Sequence, residues 1–198
     1  MLTVAATTLE DMADQGQVKT DDKLDAQAEA TRRLALAQIR QYPDPVLRLE
    51  ASEVVEFDGD LEQLVERMIH LMQDARGVGL AANQVGILRR VFVIQADEEE
   101  EPRALVNPVI VERSSEVEDD DEGCLSMQGV VVPVERPVRV RIEARDAEGN
   151  SVALELEGLP ARVAQHELDH LDGVLIVDRT TPEGRREAMA VLRQSAVL

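Results

Sequence analysis

Aromatic side chains are nearly missing from this chain, which has one Tyr, two Phe and no Trp in 198 residues. Its core must be built from Val, Leu, Ile and Ala. There is a single cysteine, Cys124, which excludes an internal disulfide and fits a reducing compartment. Lysine occurs only as Lys19 and Lys23, and 40 acidic against 21 basic residues leave a formal charge of -19. Nucleic acid and anionic membrane surfaces would both repel such a chain, so neither is expected as a partner. No apolar run reaches the ~18 residues of a membrane span, and the first residues have neither the basic nor the apolar segment of a signal peptide. The expectation is a soluble, cytoplasmic protein.

What is present is an ordinary globular composition, 44% apolar and 31% charged, at a length that suits one domain with a full core. Residues 1–34 are polar and acidic. They read as an N-terminal extension, poorly ordered or a loose helix, with enough Ala and Leu only from Asp21 to Ile39 for a helix to form there. Residues 35–198 read as a single domain ending in a helix. Tyr42-Pro43-Asp44-Pro45 imposes extended or turn geometry at its start, because each Pro fixes its own φ and restricts the residue before it.

Leu61, Leu64, Val65, Met68 and Met72 form an apolar stripe at helical spacing, with Asp60 and Gln63 resembling a capping box and Gly77 ending the helix. His70 lies off that stripe and reads as solvated. A small-residue loop, Gly77-Val78-Gly79-Leu80-Ala81-Ala82-Asn83-Gln84, leads to a strand at Val91–Ile94. Leu105 to Val111 reads as a strand interrupted at Pro108. Glu116 to Glu122 holds six acids in seven residues and reads as a solvated loop that ends at Cys124. Val138 to Glu143 and Val152 to Glu157 alternate apolar and polar around a turn at 146–150, which predicts an antiparallel hairpin with one dry face. Val174 to Val177 reads as a short strand, and Thr181-Pro182 caps a last amphipathic helix. Strands and helices in this order, without βαβ alternation, predict an α+β fold.

The chemistry centres on His166-Glu167-Leu168-Asp169-His170. Histidines four apart on a helix project from one face, so both imidazoles can meet one metal ion with the intervening Glu beside it. Pro160 suits the first turn of this helix, Gly173 its end, and apolar residues around its circumference predict burial. A catalytic metal site uses three protein ligands and keeps one position open, and Cys124 is the available third. Glu167 can then take a proton from water attacking a carbonyl and return it to the leaving amine. A side-chain amide such as Gln84, with a backbone N–H beside the cysteine, would serve the oxyanion.

Three segments, Gly77 to Gln84, Glu122-Gly123-Cys124-Leu125-Ser126 and Gln165 to Leu171, resemble in order and spacing the three motifs of bacterial peptide deformylase. The resemblance covers roughly residues 35–180. It implies removal of the formyl group from formyl-methionyl nascent peptides, with access to them at the ribosome. It implies Cys124, His166 and His170 as ligands of one divalent metal, with Fe(II) as the working ion and Zn, Ni or Co as substitutes. It implies Glu167 as general acid/base and Gln84 with the Leu125 N–H as oxyanion donors. The methionine side of the substrate would fall on Gly77, Val78, Gly79, Leu125, Leu159, Val163 and the His166 ring. The implied fold is antiparallel β-sheets packed around the central histidine helix. Asn83 stands where a Pro is common, Met127-Gln128-Gly129 replaces a hydrophobic-Pro-Gly sequence, and the N-terminal extension is outside the pattern.

Two other classes share parts of this reading. A zinc peptidase would use the same helix motif but needs a third ligand beyond His170, where nothing obvious stands. A non-enzymatic metal-stabilised domain would need neither Glu167 nor Gln84.

Overall fold

A computed structural model describes residues 25–97 and 99–195 of the chain. Residues 1–24, the larger part of the expected extension, lie outside the described residues. Residues 25–36 form helix α1, within the stretch read as a possible helix. It is largely exposed until Ala35 and Leu36, which are buried with Ile39 against the core.

Helix α2, Gly59–Asp74, follows from its apolar stripe: Leu61, Val65, Met68, Leu71 and Met72 are buried, and His70 on the other face is exposed. Its cap differs from the expected one. Asp58, not Asp60, is the N-cap and accepts from the Leu61 N–H at 3.1 Å. At the other end the left-handed residue is Arg76, with Gly77 N–H closing onto Met72 O.

The main sheet is antiparallel, in the order β1-β2-β3-β6-β7: Gly79–Ala81, Val91–Ile94, Arg103–Arg113, Arg139–Arg145 and Ser151–Glu157. The last two strands are the expected hairpin, with Val140 and Ile142 facing the core. Strand β3 runs through Pro108 without ending, because a register shift between Val106 and Val109 frees that position from the ladder. Asn107 takes a positive φ there and its side chain bonds both Val54 N–H and Val54 O at 2.8 Å.

A second, two-stranded sheet pairs β4, Val117–Gly123, with β5, Val131–Pro137. Thus the acidic run is a strand rather than a solvated loop. Residues 117–121 are exposed, as its charges require, but Glu122 is 5% exposed. Arg162 explains part of this, since it reaches from the helix layer to bond the carbonyls of Glu118 and Val134 at 2.9 and 2.7 Å.

Helix α3, Leu159–Leu171, carries the histidines and packs on β1, β2 and β7 on one side and β5 on the other. Every residue from Ala161 to Leu171 is buried. Pro160 stands in its first turn, and at its end Gly173 has φ +71°, where a Cβ would come within 2.6 Å of Arg48 O. The expected strand over Val174 to Val177 is instead part of a helical turn, α4, Ile176–Arg179. An apolar run this short carries no period, and the Asp178 carboxylate decides it by accepting the Leu175 N–H at 2.9 Å. Helix α5, Pro182–Ser195, follows Thr181, whose hydroxyl accepts from Gly184 N–H at 3.1 Å.

Candidate active site

The three expected ligands come together from two elements. Cys124 follows the last residue of β4, and His166 and His170 sit one turn apart on α3. Their ligand atoms lie within 4.8 Å of one another, with Cys124 Sγ 3.2 Å from His170 Nε2. One thiol and two imidazoles converging at this spacing make a donor set that suits a divalent transition metal. Among the described residues no other His, Cys, Asp or Glu group has this arrangement.

The two imidazoles are shifted in opposite directions by their surroundings. Burial works against charge on His166, but hydrogen bonds to the Cys124 thiol and the Glu122 carboxylate outweigh it and raise its pKa. Burial and the neighbouring His166 push His170 the other way, toward the neutral form that binds metal. Glu167 is raised to about 7, chiefly by burial. Its Oε2 is buried without a hydrogen-bond partner, which is costly unless a ligand or water completes it.

Gly79 makes room for that carboxylate. A Cβ on Gly79 would collide with Glu167 Oε1 and sit 2.8 Å from Val163, so only glycine lets β1 pass this close. Gln84 is held by its own oxygen, which accepts Ala81 N–H at 2.8 Å. Its Nε2 therefore points toward Ser126 Oγ, 3.1 Å away, and Cys124 Sγ, 3.8 Å away. The neighbouring Asn83, in the position where the sequence departs from the common pattern, is fully buried and donates to the His170 carbonyl.

A cavity of about 520 Å³ opens beside these groups. Gly77, Val78 and Gly79 line one part of it, Leu125 with Gln84 and Cys124 another. From α3 come Leu159, Val163, His166 and Glu167. All the residues expected to meet substrate are thus on one surface, while His170 closes the site from behind at 1% exposure. Gln128 and Gly129 reach the cavity, whereas Met127 of the same departure is buried in the core.

Sequence reasoning missed the layer behind the ligands. Glu122 accepts from His166 Nδ1 at 3.0 Å, from Arg136 at 2.6 and 2.9 Å, and from Arg162 at 2.9 Å. Burial would raise its pKa, but Arg136 and His166 hold it down at about 2. Arg136 also donates to Asp169 at 2.8 Å, and Asp169 in turn receives Arg179. A carboxylate on His166 Nδ1 fixes which nitrogen faces the metal position. The sequence placed Glu122 at the head of the cysteine motif, two residues before the sole thiol, but gave it no role.

Comparison with known proteins identifies the family. Residues 36–186 match the model of the polypeptide deformylase family. The chain is 45% identical over 165 residues to peptide deformylase 1 of Corynebacterium glutamicum, covering 82% of this chain and 98% of that one. It is 49% identical over 148 residues to the peptide deformylase of Thermotoga neapolitana, covering 75% and 89%. Its fold is similar to the crystal structure of peptide deformylase from Thermotoga maritima, with a TM-score of 0.70 and 48% identity over 73% of this chain and 97% of that one. A peptide deformylase structure from Legionella pneumophila gives a TM-score of 0.76 at 39% identity, covering 80% and 94%. A family model matched over three quarters of the chain, and relatives aligned nearly end to end, place this chain in the polypeptide deformylase family.

Proposed function

We propose that this metal-dependent hydrolase removes the N-formyl group from newly made polypeptides by using Glu167 as the proton carrier and Cys124, His166 and His170 as the metal ligands. The observation that carries the assignment is the convergence of those three ligand atoms within 4.8 Å beside the unpartnered carboxylate oxygen of Glu167. When bound, a divalent ion would supply Lewis acidity toward the formyl oxygen and make a water nucleophilic near neutral pH.

The chain's own groups do the rest. Glu167 receives the proton that water loses as it adds to the formyl carbon, and gives it to the departing amine nitrogen when the C–N bond breaks. The products are formate and a free N-terminal amine. A carboxyl group raised to about 7 is poised to do both. Gln84 Nε2, with its oxygen already engaged, is oriented to donate to the oxygen on which negative charge develops, and the Leu125 N–H is its counterpart beside Cys124.

Substrate geometry follows from the strands. β1 is the edge of the main sheet and β4 belongs to a two-stranded sheet, and both border the cavity through Gly79 and Gly123. An extended peptide can lie between these edges and bond to both, with its methionine side chain against Val163, Leu125 and the His166 ring. Fe(II) is the ion proposed for the cell, and the cytoplasm, at the exit of nascent chains from the ribosome, is the proposed place of action. Formate release from a formyl-methionyl peptide is the direct test. No formate from metal-loaded protein would overturn the assignment.

A further inference from the structure

The cavity wall includes two residues that the catalytic assignment leaves unused, Arg32 and Arg76. Arg32 belongs to α1 and precedes the first residue matched by the family model, residue 36. Its neighbour on the next turn, Leu36, also lines the cavity and is anchored in the core, so the helix is fixed where Arg32 projects.

The carboxylate nearest to Arg32 is Glu29 at 3.7 Å, a loose, exposed contact that Glu29 divides with Arg33 at 3.5 Å. Arg76 is exposed in its left-handed position directly before Gly77, and it makes no ion pair among the described residues. By contrast, Arg162 on the same cavity is neutralised by Glu122. In a chain of net charge -19, two arginines that are weakly paired or unpaired on the wall of a substrate cavity form a local exception. Strand β4 contributes Asp121 to the lining, which disfavours a carboxylate directed toward that strand. Side chains of an extended peptide alternate in direction, so the arginines and Asp121 can be met by different positions.

Building on the deformylase assignment, we infer that Arg32 and Arg76 form a cationic edge that selects an acidic side chain within the two residues following formyl-methionine. The N-terminal helix is then part of the substrate site, supplying specificity from outside the family pattern.

The test uses full-length, metal-loaded enzyme and amidated peptides, so that no terminal carboxylate competes. Formyl-Met-Glu-Ala and formyl-Met-Ala-Glu are each compared with the peptide carrying Gln in place of Glu. At low salt the Glu peptide at one of the two positions should show the higher kcat/KM, by about fivefold and mainly through KM, shrinking as salt is raised. Arg32→Gln with Arg76→Gln should bring that ratio to about one, Arg32→Lys should retain part of it, and Arg32→Glu should invert it. A Glu-to-Gln ratio of one or less at both positions in the parent enzyme, or an unchanged ratio in the double variant, overturns the inference. If the Gln peptides also release no formate, the deformylase assignment falls and this inference falls with it.

Discussion

The Glu122 carboxylate meets His166 Nδ1 at 3.0 Å, joining the end of an acidic strand to the middle of the helix that carries both histidines. Replacing Glu122 by Gln keeps the shape but removes the charge that balances Arg136 and Arg162 and orients the imidazole. Metal affinity should fall by about 10- to 100-fold, as is usual for a partner of a ligating histidine. The variant should also melt lower at pH 7. Because the folded pKa of Glu122 is depressed to about 2, its stabilisation is present above the unfolded carboxylate pKa and lost as pH falls toward 2. The gap in Tm between parent and variant should therefore close across that acid range, and a pH-independent gap would refute the electrostatic account.

Glu167→Gln should keep its metal and lose deformylation by several orders of magnitude, since the ligands remain while the proton carrier does not. Stability should move the other way. A carboxyl whose folded pKa is raised to about 7 costs stability above its unfolded pKa. The metal-free variant should thus melt higher than the metal-free parent at pH 8 and equally at pH 4. Parent-like activity in the variant would sink the mechanism.

For Gln84→Ala, the lost donor should appear in kcat, by ~10²-fold, because one preorganised hydrogen bond to a developing oxyanion is typically worth about 3 kcal/mol. Metal content should change little. An effect confined to KM would make Gln84 a residue that positions substrate.

A thiolate and two imidazoles bind Zn(II) more tightly than Fe(II), so metal supply as well as affinity sets the occupant. Apoprotein prepared without oxygen and reloaded with Fe(II), Ni(II) or Zn(II) should be most active with iron or nickel. The iron form alone should then decay in air, through oxidation of the ion and of Cys124. Equal and air-stable activity of the Fe(II) and Zn(II) forms would refute iron as the working ion.

Deleting residues 1–34 removes all of α1 except Ala35 and Leu36, which are buried. We expect a loss of about 1 kcal/mol, or roughly 2–4 °C in Tm for a domain of this size. An unchanged Tm would restore the view of the whole segment as a detached extension.

Much of the site was readable because its signals are local. His166, Glu167 and His170 declare themselves by spacing on one helix, Cys124 as the single thiol available for a third ligand, and Gln84 as a side-chain amide at the end of the small-residue loop. The role of Glu122 did not, since its place in the cysteine motif says nothing of what its carboxylate meets. Its partners Arg136 and Arg162 are 14 and 40 residues away, and only folding brings them together. Val174 to Val177 failed for a related reason: apolar content identified a buried segment, but the choice of helix rested on the single carboxylate of Asp178. At Pro108 the local rule was sound, yet a bulge gave the strand a position where it does not apply.

The burial of α3 from Ala161 to Leu171 has a further bearing on how the molecule works. A segment buried along its length between two sheets cannot fray by itself, so its amide hydrogens should be released only when the whole domain opens. The proposed ligands and proton carrier should therefore belong to the last part of the protein to come apart. The cavity rim is built from α1, the glycine segment and the end of β4. On the proposed assignment the peptide meets that rim, while the chemistry proceeds on a fixed frame.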